Sequence, residues 1–140
     1  MERRTSEQPT GNRSLALTAV LAIVAAVVVN LLIFGVVNAV AFDPVVDPMS
    51  GDDLPIPAII ASTTIGIAVG ALVYWLVTRK LNKPESFFLV IAGIFLAISI
   101  MPVVTSSERN GTTVIALLLM HLSTAAIAVG ALTGRLRVGR

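Results

Sequence analysis

Cysteine is absent from this chain of 140 residues, and charge is scarce, with Asp, Glu, Lys and Arg together making up 13%. Without cysteine the chain cannot form disulfides, thiolate metal sites or a thiol nucleophile. Soluble domains carry about 25% charged residues, so this chain has too few to cover a soluble globule. The net charge of +2 is spread along the sequence and does not indicate nucleic-acid binding. These absences leave an integral membrane protein.

Long apolar runs are what the sequence does contain, and 56% of its residues are hydrophobic. A helix needs about 20 apolar residues to cross the hydrocarbon core. Four runs of about this length contain no Asp, Glu, Lys or Arg, and they cover 15–42, 55–78, 87–105 and 112–133. A segment in lipid must satisfy its own backbone hydrogen bonds, and alternation with period two is absent. We therefore predict four helices rather than barrel strands.

The connections between these runs are short, which makes consecutive helices antiparallel neighbours. The sequence therefore predicts an all-α fold, an up-down-up-down four-helix bundle within the membrane. This transmembrane domain covers 14–134. A polar N-terminal segment, 1–13, and a basic tail, 135–140, flank it.

Basic residues predict the orientation of the bundle. Nine of the ten lie before span 1, between spans 2 and 3, or after span 4, and only Arg109 lies on the other side. Since Lys and Arg accumulate in cytoplasmic segments, we expect both termini in the cytoplasm. The apolar stretch that begins at Leu15 is longer than the 7–15 residues of a signal peptide's apolar region. We therefore expect span 1 to be retained rather than cleaved.

An internal match links the second and fourth spans. Residues 67–72 and 127–132 both read Ile-Ala-Val-Gly-Ala-Leu. A duplicated two-helix hairpin explains the match, and so does the uniform composition of membrane helices. Both spans also carry small residues at intervals of four: Ser62, Gly66 and Gly70, then Ala126, Gly130 and Gly134. Such stripes let another helix approach closely, either from the same chain or from a second copy.

Four polar residues at membrane depth form a candidate cluster: His121, Asn30, Thr64 and Ser99. His121 is the most informative, because an ionisable group in the membrane is by default a functional hypothesis. We predict a neutral imidazole in an interhelical hydrogen bond worth about 0.6–2 kcal/mol. A proton relay and contact with a polar or quinone-type ligand are the alternatives.

Metal binding and catalysis have little support. The chain has one histidine, no cysteine and no carboxylate within a span, so a metal ligand set is incomplete. No nucleophile, base and acid occur together. We predict no catalytic, cofactor or metal site.

Pro102 interrupts the third span shortly after Ser99. Proline removes one backbone hydrogen bond and frees the carbonyl of Ile98. The Ser99 hydroxyl or a water molecule can satisfy a freed carbonyl. We predict a structural kink at Pro102, with a moving hinge as the alternative.

Two short motifs carry a family resemblance: Ser-Ile-Met-Pro at 99–102 and Leu-Leu-Met-His at 118–121. With the four short spans, they resemble a family of small bacterial integral membrane proteins that is catalogued only as a domain of unknown function. The resemblance covers about 14–134. It implies four spans in a bacterial plasma membrane and no assigned reaction.

The sequence favours a non-enzymatic multi-pass protein of the inner membrane that acts by association with lipid or membrane proteins. Its expected partners are the bilayer and a membrane protein or second copy, and no nucleic acid. The alternative is a small transporter or channel-like oligomer in which His121 and Asn30 line a polar path. The aliphatic inner thirds of the spans argue against a continuous path in one copy.

Overall fold

The computed structural model describes residues 10–81, 84–105 and 110–134, which form four α-helices and no strand. The helices are α1, Thr10–Val40; α2, Ile56–Lys80; α3, Pro84–Thr105; and α4, Gly111–Leu132. Each contains a stretch long and apolar enough to cross a membrane. This confirms the predicted all-α class and the prediction of four helices long and apolar enough to span a membrane.

The helix boundaries differ from the predicted spans mainly at the start. α1 begins at Thr10, inside the segment predicted to be polar, although its apolar stretch runs from Ser14 to Val40. α2 has Pro57 in its first turn, and α3 begins at Pro84. Proline suits a first turn because the N–H it lacks would have no partner there. The remaining N-terminal residues, 1–9, and the predicted basic tail, 135–140, lie outside the described residues.

α2 and α4 form the centre of the bundle. They contact each other, and α1 and α3 each pack against both of them. Between the described parts of α1 and α3 there is no contact, so these two helices lie on opposite sides. At most 17% of the apolar stretch in any helix is buried within the chain. The outward faces are therefore apolar surfaces suited to hydrocarbon.

The connection between α1 and α2 folds back over one end of the bundle, here called the loop end. Val45 is 1% exposed and packs with Ile59 of α2 and with Ala116 and Met120 of α4. The last turns of α1 pack against the same cluster through Phe34 and neighbouring residues. The end of α1 therefore lies beside the first turns of α2 and α4.

Hydrogen bonds hold this connection in place. The Val46 N–H donates to Thr113 Oγ1 at 2.9 Å, and the Val45 N–H donates to Asn38 Oδ1 at 3.0 Å. Asn110 Nδ2 donates to the Pro44 carbonyl at 2.9 Å, while Asn110 Oδ1 caps α4 by accepting from the Thr113 N–H. The connection is therefore fixed to α4 by both polar and apolar contacts.

Thr113 offers a direct test of this attachment, because its side chain is fully buried. Thr113→Val keeps the shape but leaves the Val46 N–H without its acceptor. We expect it to lower the free energy of unfolding by about 1–2 kcal/mol. Equilibrium unfolding in mixed detergent micelles measures the change. Thr64→Val is the matched control, since the Thr64 hydroxyl bonds only to its own helix. Equal losses in the two variants would contradict the attachment.

Candidate functional site

Asn30 is the centre of a buried polar network that joins three helices. Its side chain is 2% exposed. Asn30 Nδ2 donates to Thr63 Oγ1 of α2 and to Thr124 Oγ1 of α4, both at 2.9 Å. Ser123 Oγ donates to Asn30 Oδ1 at 2.8 Å. Both amide hydrogens and one acceptor site of Asn30 are therefore used between helices. We call these four residues the Asn30 network.

The structure does not bring the other three predicted polar residues into this network. The Thr64 hydroxyl donates to the Ile60 carbonyl at 2.7 Å, and the Ser99 hydroxyl donates to the Leu96 carbonyl at 2.8 Å. His121 Nδ1 lies 2.6 Å from the Leu117 carbonyl oxygen. Each bond returns to the residue's own helix. The predicted grouping of His121, Asn30, Thr64 and Ser99 is thus replaced by the Asn30 network.

Thr63 takes the place expected for Thr64 because of helix rotation. Ile59, Thr63 and Ile67 lie four residues apart, and all three are buried. They define the inward face of α2, and one step along a helix turns a side chain by about 100°. The two isoleucines at four-residue spacing on either side of Thr63 are the signal in the sequence that points to it.

Ser123 and Thr124 were also missed as partners of Asn30. They follow His121 by two and three residues. A buried asparagine amide carries two hydrogens and therefore needs two acceptors. That requirement favours hydroxyls on two different helices. The sequence alone does not indicate which hydroxyls face Asn30.

The hydrogen bond of His121 defines which nitrogen carries the proton. A backbone carbonyl oxygen can only accept, so Nδ1 is the protonated nitrogen in this bond. Nε2 of the neutral ring is then an acceptor. The ring is half-buried and lies in the wall of a lateral groove. His121 therefore lines the groove while its Nδ1 hydrogen is used within α4.

The lateral groove lies between α2, α3 and α4 and has a volume of about 630 Å³. Most of its wall is apolar and includes Phe88, Ile91 and Phe95 of α3. Its polar wall residues include Ser62, Ser99, Thr124 and His121, and part of the Asn30 network lies at its back. Asp47 is the charged residue among the described groove residues. The groove thus offers an apolar channel with a few polar groups.

The small-residue stripe of α2 lines this groove rather than a helix contact. Ser62, Gly66 and Gly70 all belong to its wall. A Cβ atom added at Gly66 or Gly70 would meet nothing within 4 Å. No described helix of the chain therefore packs closely on this stripe. The use of the stripe for close packing within the chain is not seen on α2.

The corresponding stripe on α4 is shorter than predicted. Gly130 is buried and Ala126 is exposed, but Gly134 lies beyond the end of α4 at Leu132. Gly134 has φ 74°, and its N–H donates to the Ala131 carbonyl at 3.2 Å. A left-handed glycine of this kind ends a helix. Gly134 therefore acts as a helix stop, not as a packing position.

The repeated hexapeptides meet in the bundle. Ile67 from the first packs in one cluster with Ile127, Ala128 and Ala131 from the second. Ala22 and Ala26 of α1 complete this cluster. The two hexapeptides are 60 residues apart, so the repeat pairs Thr64 with Thr124. The residue that shares Asn30 with Thr124 is instead Thr63, so the contact is shifted by one residue from the repeat.

Pro102 lies inside α3, which continues to Thr105. The Ser99 hydroxyl does not satisfy the Ile98 carbonyl, because it donates to Leu96. Pro102 itself is exposed on the bundle surface. The kink remains a prediction.

Aromatic contacts mark the end of the bundle opposite the loop. Tyr74 and Phe88 pack edge to face, with ring centroids 5.0 Å apart. The Arg79 guanidinium lies 4.1 Å from the centroid of a Trp75 ring, and Lys80 follows in the last turn of α2. Aromatic rings and basic side chains together are typical of a membrane interface.

Within the described part of the chain, no group of three or more His, Asp or Glu side chains is arranged to hold a metal ion. A family model described as a family of unknown function, DUF6069, matches residues 10–138. Comparisons with curated proteins and with solved structures give no match.

Proposed function

From the premise that the chain belongs to DUF6069, a family of unknown function, we propose a non-enzymatic multi-pass protein of the bacterial plasma membrane. It acts by non-covalent association with lipid or with other membrane proteins. Membership agrees with the resemblance drawn from the sequence motifs, which is thereby confirmed. It adds no reaction, so the proposal rests on the chemistry of the bundle.

The lateral groove is the observation that carries the proposal. It is a cavity of about 630 Å³ with mainly apolar walls, and the chain's own helices leave the glycine stripe inside it uncovered. Apolar cavities with a few polar groups are the usual form of binding sites for small molecules. In a membrane such a groove receives a hydrocarbon chain or a transmembrane segment.

The Asn30 network favours association over transport. Asn30 was the second residue of the alternative polar path, but its amide hydrogens are bonded to Thr63 and Thr124. At 2% exposure it offers little surface to a passing ion or solute. It serves instead to fix the rotation of three helices, as interhelical hydrogen bonds do in membranes.

The non-enzymatic part of the proposal follows from the groups that face the groove. They are hydroxyls, one imidazole, the Asn30 amide and the Asp47 carboxylate, and the hydroxyls of Ser62 and Ser99 donate to carbonyls of their own helix. A nucleophile needs a neighbouring base to activate it. His121 Nδ1 is engaged with the backbone carbonyl of Leu117 in its own helix, and so are the Ser62 and Ser99 hydroxyls with carbonyls of theirs. Binding is the chemistry that remains.

Orientation in the membrane tests the localisation. We expect the loop end outside and the Arg79 end in the cytoplasm, since nine of ten basic residues lie on the latter side. In intact bacterial cells, Ser50→Cys should react with a membrane-impermeant maleimide, and Asn82→Cys should react only after the membrane is permeabilised. The chain has no cysteine, so each variant carries one label site. Labelling of Asn82→Cys in intact cells would overturn the orientation.

A further inference from the structure

The groove presents hydrogen-bond acceptors from three different helices. Ser62 and Ser99 donate their hydroxyl hydrogens to the carbonyls of Ile59 and Leu96, at 3.2 and 2.8 Å. His121 likewise places its Nδ1 hydrogen on the Leu117 carbonyl. These side chains therefore keep only lone pairs for a ligand, and the strongest acceptor among them is the imidazole Nε2. A group that complements this wall must bring its own hydrogen.

The charges around the groove restrict that group further. Asp47 is the charged residue among the described groove residues, and neither lysine nor arginine lies in this wall. The same connection carries three more carboxylates, Asp43, Asp52 and Asp53. A phosphate headgroup would meet like charge from Asp47, with no lysine or arginine among the described groove residues to pair with it, which is unfavourable near a low-dielectric surface. A neutral hydroxyl is not repelled by the Asp47 carboxylate, and it donates the hydrogen that the acceptors of this wall need.

The depth of His121 suits a headgroup near one end of the groove. Thr63 and Thr124 share Asn30 and so lie at one level. Counting back from Thr63 and Thr124 at 1.5 Å per residue, His121 lies about 6 Å further from the loop end than the first residue of α2 does. From that level the groove continues along α2 to Val73, a further distance of about 20 Å. An amphiphile can therefore place its polar group at His121 and its tail along the groove.

The walls of this longer section suit a hydrocarbon tail. Gly66 and Gly70 of α2 line it, together with Phe95, Ile91 and Phe88 of α3. Phe88 is 3% exposed and packs edge to face on Tyr74. The channel is therefore smooth and apolar, and it is bounded by an aromatic pair.

The volume of the groove suits one lipid chain. The groove holds about 630 Å³, which falls within the range of small-molecule sites, about 300–1,000 Å³.

We propose that the lateral groove binds a single-chain lipid alcohol, whose hydroxyl donates to Nε2 of His121 while its hydrocarbon chain lies along Gly66 and Gly70. This inference rests on the proposed function and names the ligand class for the same groove.

Nitrogen NMR of the single histidine tests the proposal directly. The full chain, labelled with ¹⁵N-histidine, is reconstituted in phosphatidylcholine nanodiscs at pH 8, and 1-hexadecanol is added. We expect a saturable upfield shift of the Nε2 resonance, because a hydroxyl then donates to it. Hexadecyl methyl ether has a nearly identical tail and no hydrogen to donate, so it should leave Nε2 unmoved. An equal shift with the ether, or no shift with the alcohol, would overturn the proposal.

Two glycine variants show whether the groove itself is the site. Gly66→Leu extends a side chain into the groove, and Gly93→Leu places the same residue on exposed α3 surface outside it. An added Cβ meets nothing within 4 Å at either position, and leucine favours helix over glycine, so both should fold. We expect at least tenfold weaker hexadecanol binding in Gly66→Leu and no change in Gly93→Leu.

Measuring the oligomeric state of the variants distinguishes failure of the ligand proposal from failure of the proposed function. If Gly66→Leu leaves hexadecanol binding unchanged, the lipid alcohol proposal fails. If it instead converts a dimer to a monomer, the groove holds a helix. The ligand class is then wrong, while association within the membrane stands.

Discussion

Replacing Asn30 with alanine is expected to lower the free energy of unfolding by about 2–4 kcal/mol, at about 0.6–2 kcal/mol for each interhelical hydrogen bond. Three such bonds end at this side chain, two donated to Thr63 and Thr124 and one accepted from Ser123. The loss stays below the simple sum because Ser123 also bonds to the Met120 carbonyl. Reversible unfolding in mixed micelles of mild detergent and dodecyl sulfate measures the change.

Asn38 provides the matched control. Its Oδ1 accepts one hydrogen bond, from the Val45 N–H, and the residue is exposed near the end of α1. We expect Asn38→Ala to cost less than about 1 kcal/mol. A double-mutant cycle between Asn30→Ala and Thr63→Val should also give a coupling energy of about 0.6 kcal/mol or more. Equal costs for the two asparagine variants would show that the Asn30 network does not hold the bundle together.

Charge at the level of His121 is expected to have the second large effect. His121→Lys should be less stable than His121→Asn by up to about 2.5–3.5 kcal/mol, the cost on insertion scales of a lysine at the centre of a span, because His121 lies midway along α4. The imidazole now bonds to the Leu117 carbonyl in a mainly apolar wall, which gives an ammonium little to replace water. Asparagine keeps a donor and an acceptor without the charge. Thermal unfolding of both variants in the same detergent measures the difference.

Asp47 must be controlled in this comparison, because it lies in the same groove and a long lysine stem can extend toward it. Adding Asp47→Asn should lower the stability of His121→Lys further and leave the stability of His121→Asn almost unchanged. Equal stability of the lysine and asparagine variants, with or without Asp47, would mean that position 121 faces water. That result would favour the transporter alternative.

The four spans and the family resemblance could be predicted because they depend on composition along the chain. Apolar runs such as 87–105 are long enough to cross a bilayer whatever their neighbours are. The Ser-Ile-Met-Pro and Met-His motifs are likewise local. Asn30 also stood out, since an amide in the middle of an apolar run needs a partner.

The partners of Asn30 were decided only by the tertiary structure. Thr63 and Thr64 are adjacent and chemically identical, and the difference between them is a helix rotation of about 100°. Hydropathy does not reveal that rotation, because lipid is as apolar as the inside of the bundle. Helices whose every face is apolar give no periodic signal for the inward side.

The sequence by itself determined that this protein is helical, has four helices long and apolar enough to cross a membrane, and has a polar residue near the middle of α1. The tertiary structure decided that Thr63, Ser123 and Thr124 satisfy Asn30, that His121 stands apart, and that Gly66 and Gly70 line an open groove. The physical reason is that spanning depends on the free energy of transfer of each segment, which adds up along the chain. Side-chain partners depend on how the helices are rotated and spaced, which only their mutual packing determines.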